Sequence, residues 1–349
     1  MTAVGVPAWR ERPERGNARL LGLMFRIAML AGRPATRLLL GPITLFFWLR
    51  TPQARAASAD YLGRVLGRPA RARETLRHYF AFASVILDRV YFLAGRCEAF
   101  VVEVHGKDLL LEAARAGRGV FLVGAHMGSF EALRSIGRAH AGLRVSMAMY
   151  EDNARKLGAL ARAVDPSLLE DVVPLGRIDS MIRLEERLRR GDLVGFLADR
   201  ALGGEETVSV DFLGAPAAFP TGVFRMAAVL RVPVIRMAGL YLGGNRYALH
   251  FEPLADFGAT PRSERARQVA LAMREYAARL EADCRRLPCN WFNFFDFWAE
   301  PAAGAAKHGG EGDVRDAAAA EGEGDMREGD GAKGGGGVRG RAGARRGDG

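Results

Sequence analysis

Residues 119–131 read GVFLVGAHMGSFE: an apolar run, then a turn with glycine near a histidine on either side, then the first residues of an amphipathic segment. An apolar run of this length closed by glycine predicts a buried strand over Gly119–Gly124. The helical spacing that follows predicts a helix over Ser129–Ala139. His126 therefore stands at the carboxyl end of the strand. In an open α/β sheet those ends border a crevice, so a titratable side chain released there faces a ligand and not the core.

The same alternation repeats outward from this unit. Further strands are predicted over Arg144–Met149, Asp192–Ala198, Pro233–Ala238 and Tyr247–Phe251. Helices are predicted over Lys107–Ala116, Ala154–Val164, Ser180–Arg190, Thr221–Arg231 and Ser263–Leu287, the last stopped by Pro288. Short apolar or β-branched runs separated by longer amphipathic ones are the pattern of an α/β domain, here 101–301. From Pro52 to Arg96 the apolar residues, Tyr79, Phe82, Ile86 and Val90 among them, recur at helical spacing, so the N-terminal third, 1–100, reads as helical.

The chemistry of the opening stretch follows from its residue types. A hydroxyl is a poor nucleophile near neutral pH, and a base oriented by a carboxylate is the usual way to activate it. Glu131 lies in the first turn of the predicted helix, where it would fold back onto one nitrogen of His126, fix the tautomer and leave the other nitrogen free to take a proton. Gly124 and Gly128 would let backbone and substrate approach closely, and amides at the helix start near Ser129 offer donors for developing negative charge. A histidine that merely ends a strand, with a surface glutamate nearby, is the competing reading.

Other candidates come from the rest of the chain. Asp199 and Arg200 end a predicted strand on the same side of the sheet as His126. Arg200 would stabilise an oxyanion or hold a phosphate or carrier group, or else form a structural ion pair with Asp199 or Glu205. Phe219 would line an apolar groove or pack in the core, and Asn153 would cap a loop. No metal-ligand spacing is present, and no cofactor is expected.

Bulk properties narrow the partners. The 349 residues carry a formal net charge of +10 and a sequence pI near 10.0, which favours anionic partners such as lipid head groups, an acidic carrier protein or nucleic acid. No recognised nucleic-acid module is present, so nucleic acid is not expected as a partner. Cys97, Cys284 and Cys289 suit a reducing compartment better than a disulfide framework. Leu20–Leu49 is very apolar but broken by Arg26, Arg33, Pro34, Arg37 and Pro42, and its longest charge-free run, Leu38–Leu49, is shorter than the roughly 20 residues of a spanning helix. Two short helices lying in the membrane interface, with the arginines reaching phosphates, are expected there, with a buried helical hairpin of the core and a single spanning helix as the alternatives. Residues 302–349 are mostly Gly, Ala and interleaved charges and are expected to be a disordered tail.

The stretch HMGSFE, His126 to Glu131, resembles the His-x4-Asp/Glu motif of the lysophospholipid acyltransferase superfamily, and in particular the bacterial lipid A late acyltransferases. The resemblance extends through LVGFLADRALGGEETVSVDFLGAPAAFPTGVFRMAAVLRVP, residues 193–233: a strand ending in a polar pair, a turn, an FLG segment, small residues, a helix and a Val-Pro strand start. The ending NWFNFFDFW, residues 290–298, is closer to a subgroup of predicted acyltransferases than to enzymes acting on lipid A itself. The resemblance implies a glycerol-phosphate acyltransferase-like fold, a mixed and mostly parallel sheet flanked by helices. It also implies His126 as general base with Glu131 as its carboxylate, Phe219 along an acyl groove, and Asn153, placed after Tyr150 like a Tyr-x-x-Asn element, as a substrate contact. The expected activity is O-acyl transfer from acyl carrier protein or acyl-coenzyme A to a hydroxyl of a lipid or glycolipid, at the cytoplasmic face of the inner membrane. A non-catalytic lipid-binding membrane protein is the alternative.

Overall fold

Seven strands lie side by side in a sheet whose centre is the strand of the opening stretch. The computed structural model describes residues 29–139, 143–150, 171–176, 179–201 and 205–299. In chain order it contains a helical stretch over 29–38, then α1 (Leu40–Arg50), α2 (Pro52–Leu66), α3 (Ala72–Leu93), β1 (Val101–His105), α4 (Lys107–Arg115), β2 (Val120–Gly124) and α5 (Phe130–Ala139). It continues with β3 (Val145–Tyr150), β4 (Val172–Leu175), α6 (Ser180–Arg189), β5 (Leu193–Leu197), β6 (Thr207–Phe212), β7 (Ala215–Pro220), α7 (Gly222–Leu230), β8 (Pro233–Gly243), β9 (Arg246–Asp256) and α8 (Arg265–Arg286). The predicted helix over Ala154–Val164, Asn153, Arg26 and the predicted tail lie outside the described residues.

The sheet order is β1-β9-β8-β2-β5-β3-β4. β8, β2, β5, β3 and β4 run parallel, whereas β9 is antiparallel to β8 and β1 parallel to β9. The mostly parallel sheet is as expected. β2 is buried along its whole length, as a parallel strand covered on both faces must be. Its side chains alternate between two cores. Phe121 and Val123 join a core with α2, α6, α7 and α8, while Val120 and Leu122 join another with α3, α4 and α5. The architecture is thus helix, sheet, helix in three layers.

Four strands were not expected from the sequence. β1 has a mostly exposed burial pattern and β4 only four residues, so neither shows a buried run. β6 and β7 form a separate hairpin around Leu213 and Gly214, both at positive φ, 52° and 81°. A two-residue turn with both positions left-handed matches the twist of a hairpin. Leu213 tolerates that conformation with its backbone N–H donating to Glu281 Oε2 at 2.7 Å. The FLG segment is therefore a turn.

The N-terminal helices are docked by polar contacts. Arg33 forms a bidentate pair with the wholly buried Asp88, at 2.7 and 2.9 Å, and Tyr247 Oη donates to the same carboxylate at 2.8 Å. Arg37 donates to Tyr241 Oη and to the Gly244 carbonyl, both at 3.0 Å. This corrects the expectation that these arginines reach outward to phosphates: a buried carboxylate left unpaired costs more than a solvated guanidinium gains at an interface. Among the described residues no helix is long and apolar enough to cross a membrane.

α3 starts with Glu74 turning back to accept the Arg71 backbone N–H at 2.7 Å, one half of a capping box. Within it, His78 is wholly buried between Ser58 Oγ and the Trp291 carbonyl, each at 2.9 Å from a ring nitrogen. Burial holds its imidazole down at about 4, against an ordinary 6.5. The unfolded chain takes up this proton first, so the stability carried by neutral His78 is complete above pH 6.5 and is lost as pH falls towards 4. The loss is about 3 kcal/mol. Thermal unfolding of the wild type should weaken more steeply between pH 7 and pH 4.5 than that of His78→Gln; parallel curves would show that His78 carries no such linkage.

Candidate active site

The site forms where β2 and β5 end side by side. The parallel register pairs Gly124 with Leu197, and the Ala198 N–H donates to the Gly124 carbonyl at 2.9 Å. Two residues further along each chain, His126 meets Asp199. His126 Nδ1–H donates to Asp199 Oδ1 at 2.8 Å, and the His126 backbone N–H lies 3.1 Å from both carboxylate oxygens. Among the described residues Nε2 has no protein partner, and the side chain is 30% exposed.

Asp199 itself is 0% exposed. Its Oδ2 also accepts the Trp291 indole N–H at 2.9 Å and the Asn293 side-chain N–H at 3.1 Å. Burial alone would raise the carboxyl, but His126, Arg200 and the His126 backbone N–H together hold it well below the usual carboxylate range. His126 is kept below its ordinary value by desolvation and then by Arg200, with Asp199 pulling the other way. The result is a neutral imidazole with its Nδ1 proton anchored and Nε2 available as a base.

Arg200, expected near the site, is there. Its Nε donates to Asn293 Oδ1 at 2.6 Å and its Nη2 to the Phe292 carbonyl at 2.9 Å. The guanidinium also lies over the Phe295 ring, 5.5 Å from the centroid. Asn293 stands between Arg200 and Asp199, bonded to both.

Glu131 is not the partner of His126, which corrects the expectation drawn from the spacing. Its Oε1 lies 2.7 Å from Arg89 Nε of α3. The N–H is not aimed well enough at the carboxylate to count as a hydrogen bond, so the contact is an ion pair. The reason is directional: the turn sends the His126 ring towards the end of β5, while α5 carries Glu131 towards α3.

Gly128 and Ser129 are also corrected. Gly128 has φ +58°, and a Cβ there would overlap the Gly239 carbonyl oxygen, so the close approach it allows is by β8 and not by substrate. The Gly128 N–H donates to the Asn290 carbonyl at 2.9 Å and the Ser129 N–H to the Gly239 carbonyl at 2.7 Å. Those amides are already used. Ser129 Oγ caps α5 by accepting the Ala132 N–H at 3.1 Å. Phe219 is wholly buried, edge-on to Phe212, Tyr276 and Phe297, so it packs in the core rather than along an open groove.

Trp291 and Asn293 were not recognised as site residues, because alternating aromatic and polar residues read equally well as an edge strand. The segment instead forms an isolated bridge between Trp291 and Met127, and the Phe292 N–H donates to the His126 carbonyl at 2.8 Å. The available signal was two buried-type donors, an indole and an amide, in the aromatic run that follows the last predicted helix.

A histidine and carboxylate paired at the carboxyl ends of parallel strands in a three-layer α/β fold define a class of proteins able to polarise a hydroxyl. Residues 65–299 match the family of bacterial lipid A biosynthesis acyltransferases, and the chain belongs to that family. Family membership suggests acyltransferase activity and implies an acyl donor and a lipid acceptor. No curated protein matches the chain.

The packing at Gly128 yields a direct test. Gly128→Ala should lower stability by about 3 kcal/mol or more, because both the left-handed backbone and the contact with β8 oppose a side chain; an alanine variant with an unchanged denaturation midpoint would refute the tight contact.

Proposed function

We propose that the protein is an O-acyltransferase that moves a fatty acyl group from an acyl thioester, carried by acyl carrier protein or coenzyme A, to a hydroxyl of a lipid or glycolipid. The observation that carries this reading is the His126–Asp199 pair with Nε2 free at the end of the sheet. His126 Nε2 takes the acceptor proton as the oxygen attacks the thioester carbonyl. Asp199 holds the ring and stabilises the imidazolium that forms. Collapse of the tetrahedral intermediate breaks the C–S bond, and the thiolate takes the proton back from the imidazolium. Arg200 lends positive charge to the oxyanion from its fixed place beside Asp199.

Reaction at the cytoplasmic face of the inner membrane is part of the same proposal. Its support is an apolar surface on the N-terminal helices, where Leu38 is 80%, Phe46 57% and Leu49 58% exposed. Arg33 and Arg37 hold this region to the turn after β8. Since β8 runs parallel to β2, that turn lies at the same end of the sheet as His126. A membrane-facing surface and the reactive nitrogen would then share one edge, a suitable arrangement for an acceptor that stays in the lipid layer.

Thiol release from acyl-coenzyme A and from acyl carrier protein, with total lipid extract as acceptor and the lipids followed by mass spectrometry, tests the reaction. His126→Ala and Asp199→Asn should each reduce turnover by about 10²–10⁴-fold while remaining folded. Glu131→Gln should retain most turnover, because its ion pair with Arg89 is structural. The reverse ranking, with Glu131 essential and Asp199 dispensable, would overturn the assignment of the carboxylate. Absence of any acyl transfer by the wild type would favour a lipid-binding protein without catalysis.

The pH dependence follows from the same site. Protonated His126 cannot act as a base, so activity should fall on the acid side with a midpoint below the ordinary histidine value of 6.5. A midpoint above it would contradict the environment described.

A further inference from the structure

Asp199 and Arg200 are neighbours in sequence and opposite in charge, and they sit together just past the end of β5, the first wholly buried and the second half-buried. A carboxylate and a guanidinium within reach of each other commonly pair directly, often as a bidentate fork. A carboxylate committed to its own neighbour would have less to offer His126. In the structure they do not close. The Asn293 side chain lies between them, its Oδ1 accepting Arg200 Nε at 2.6 Å and its Nδ2 donating to Asp199 Oδ2 at 3.1 Å. The Phe292 carbonyl takes Arg200 Nη2 at 2.9 Å, and the Phe295 ring covers the guanidinium.

We propose that Asn293 is a positioning residue: its amide, interposed between Asp199 and Arg200, keeps the guanidinium off the carboxylate and so keeps that carboxylate committed to His126. The inference rests on His126 acting as the base. The residue type follows from the contacts. One end must accept from a guanidinium and the other must donate to a carboxylate, and at this reach a primary amide does both. Aspartate would set two carboxylates against each other, and alanine would leave an enclosed donor and acceptor unmet.

The segment is held so that the amide cannot drift. Asn293 is 1% exposed. The residues before it are fixed by the Phe292 N–H to the His126 carbonyl, by the Trp291 indole to Asp199, and by His78 on the Trp291 carbonyl. The titratable and charged groups that act on the pair are few. His126 feels Arg200 and Asp199. From α8, Tyr276 and Cys284 also face Asp199. Tyr276 donates its hydroxyl to the Gly124 carbonyl at 2.8 Å, and both groups are held well above their ordinary values, so they stay neutral.

The test is an NMR titration of the His126 imidazole in the full-length protein, with its signal identified by loss in His126→Gln, alongside steady-state turnover. Asn293→Ala and Asn293→Ser free Arg200 to close on Asp199. The His126 midpoint should then fall by about one pH unit, and kcat should drop about tenfold with KM little changed. Asn293→Asp adds negative charge beside the pair and should move the midpoint the other way, to higher pH. A role confined to packing would lower the unfolding temperature and leave the midpoint where it is. Midpoints equal to wild type in the folded alanine or serine variant and in the aspartate variant overturn the inference. Turnover that survives in His126→Gln would instead bring down the general-base reading and this inference with it.

Discussion

The site depends on one buried carboxylate. Asp199 is removed from water entirely, and a lone ionised carboxyl in that position would take up a proton rather than remain charged. It stays ionised because donors converge on it from two separated parts of the chain. The turn after β2 supplies a backbone N–H and an imidazole N–H, and the segment after α8 supplies an indole N–H and an amide N–H. Each donor also fixes the group that carries it. The charge on Asp199 is thus both the means of orienting His126 and the reason that residues 290–293 fold back onto the sheet.

Sheet geometry makes that convergence possible. Parallel neighbours end together, and the Gly124 to Leu197 register brings residues two positions beyond each strand face to face. Two aliphatic and aromatic cores, one on each face, lock the central strand and leave no freedom for the register to slip. The N-terminal helices join through polar contacts, since Arg33 answers the buried Asp88 and Arg37 the turn after β8. Several leucines and phenylalanines of these helices remain exposed.

Much of this was legible in the sequence, and particular residues show where legibility stopped. The strand over Val120–Gly124 announced itself as a short apolar run closed by glycine, and His126 was placed at its end by counting alone. β8 and β9 were visible but shorter than they are, because Gly239 breaks the apolar run of the first and Glu252 and Pro253 that of the second. β1 and β4 carry too little burial or length to stand out. At the site, five-residue spacing singled out Glu131, yet a turn can aim its histidine in several directions. The neighbouring carboxylate was Asp199, 73 residues away. Trp291 and Asn293 lay still further along, and nothing local to them marks an acceptor waiting at the end of β5.

Residue order alone therefore determined the α/β class, the strand that carries the histidine, and the histidine itself, because hydrophobic periodicity and glycine turns act over a few residues. Which carboxylate serves that histidine, which groups hold the carboxylate, and what lies between it and Arg200 were decided only by tertiary structure. Those choices rest on strand order, register and the direction of a turn, and such quantities relate segments that are distant along the chain. Hydrogen bonds and buried charges respond to separation in space, and only the folded sheet supplies it.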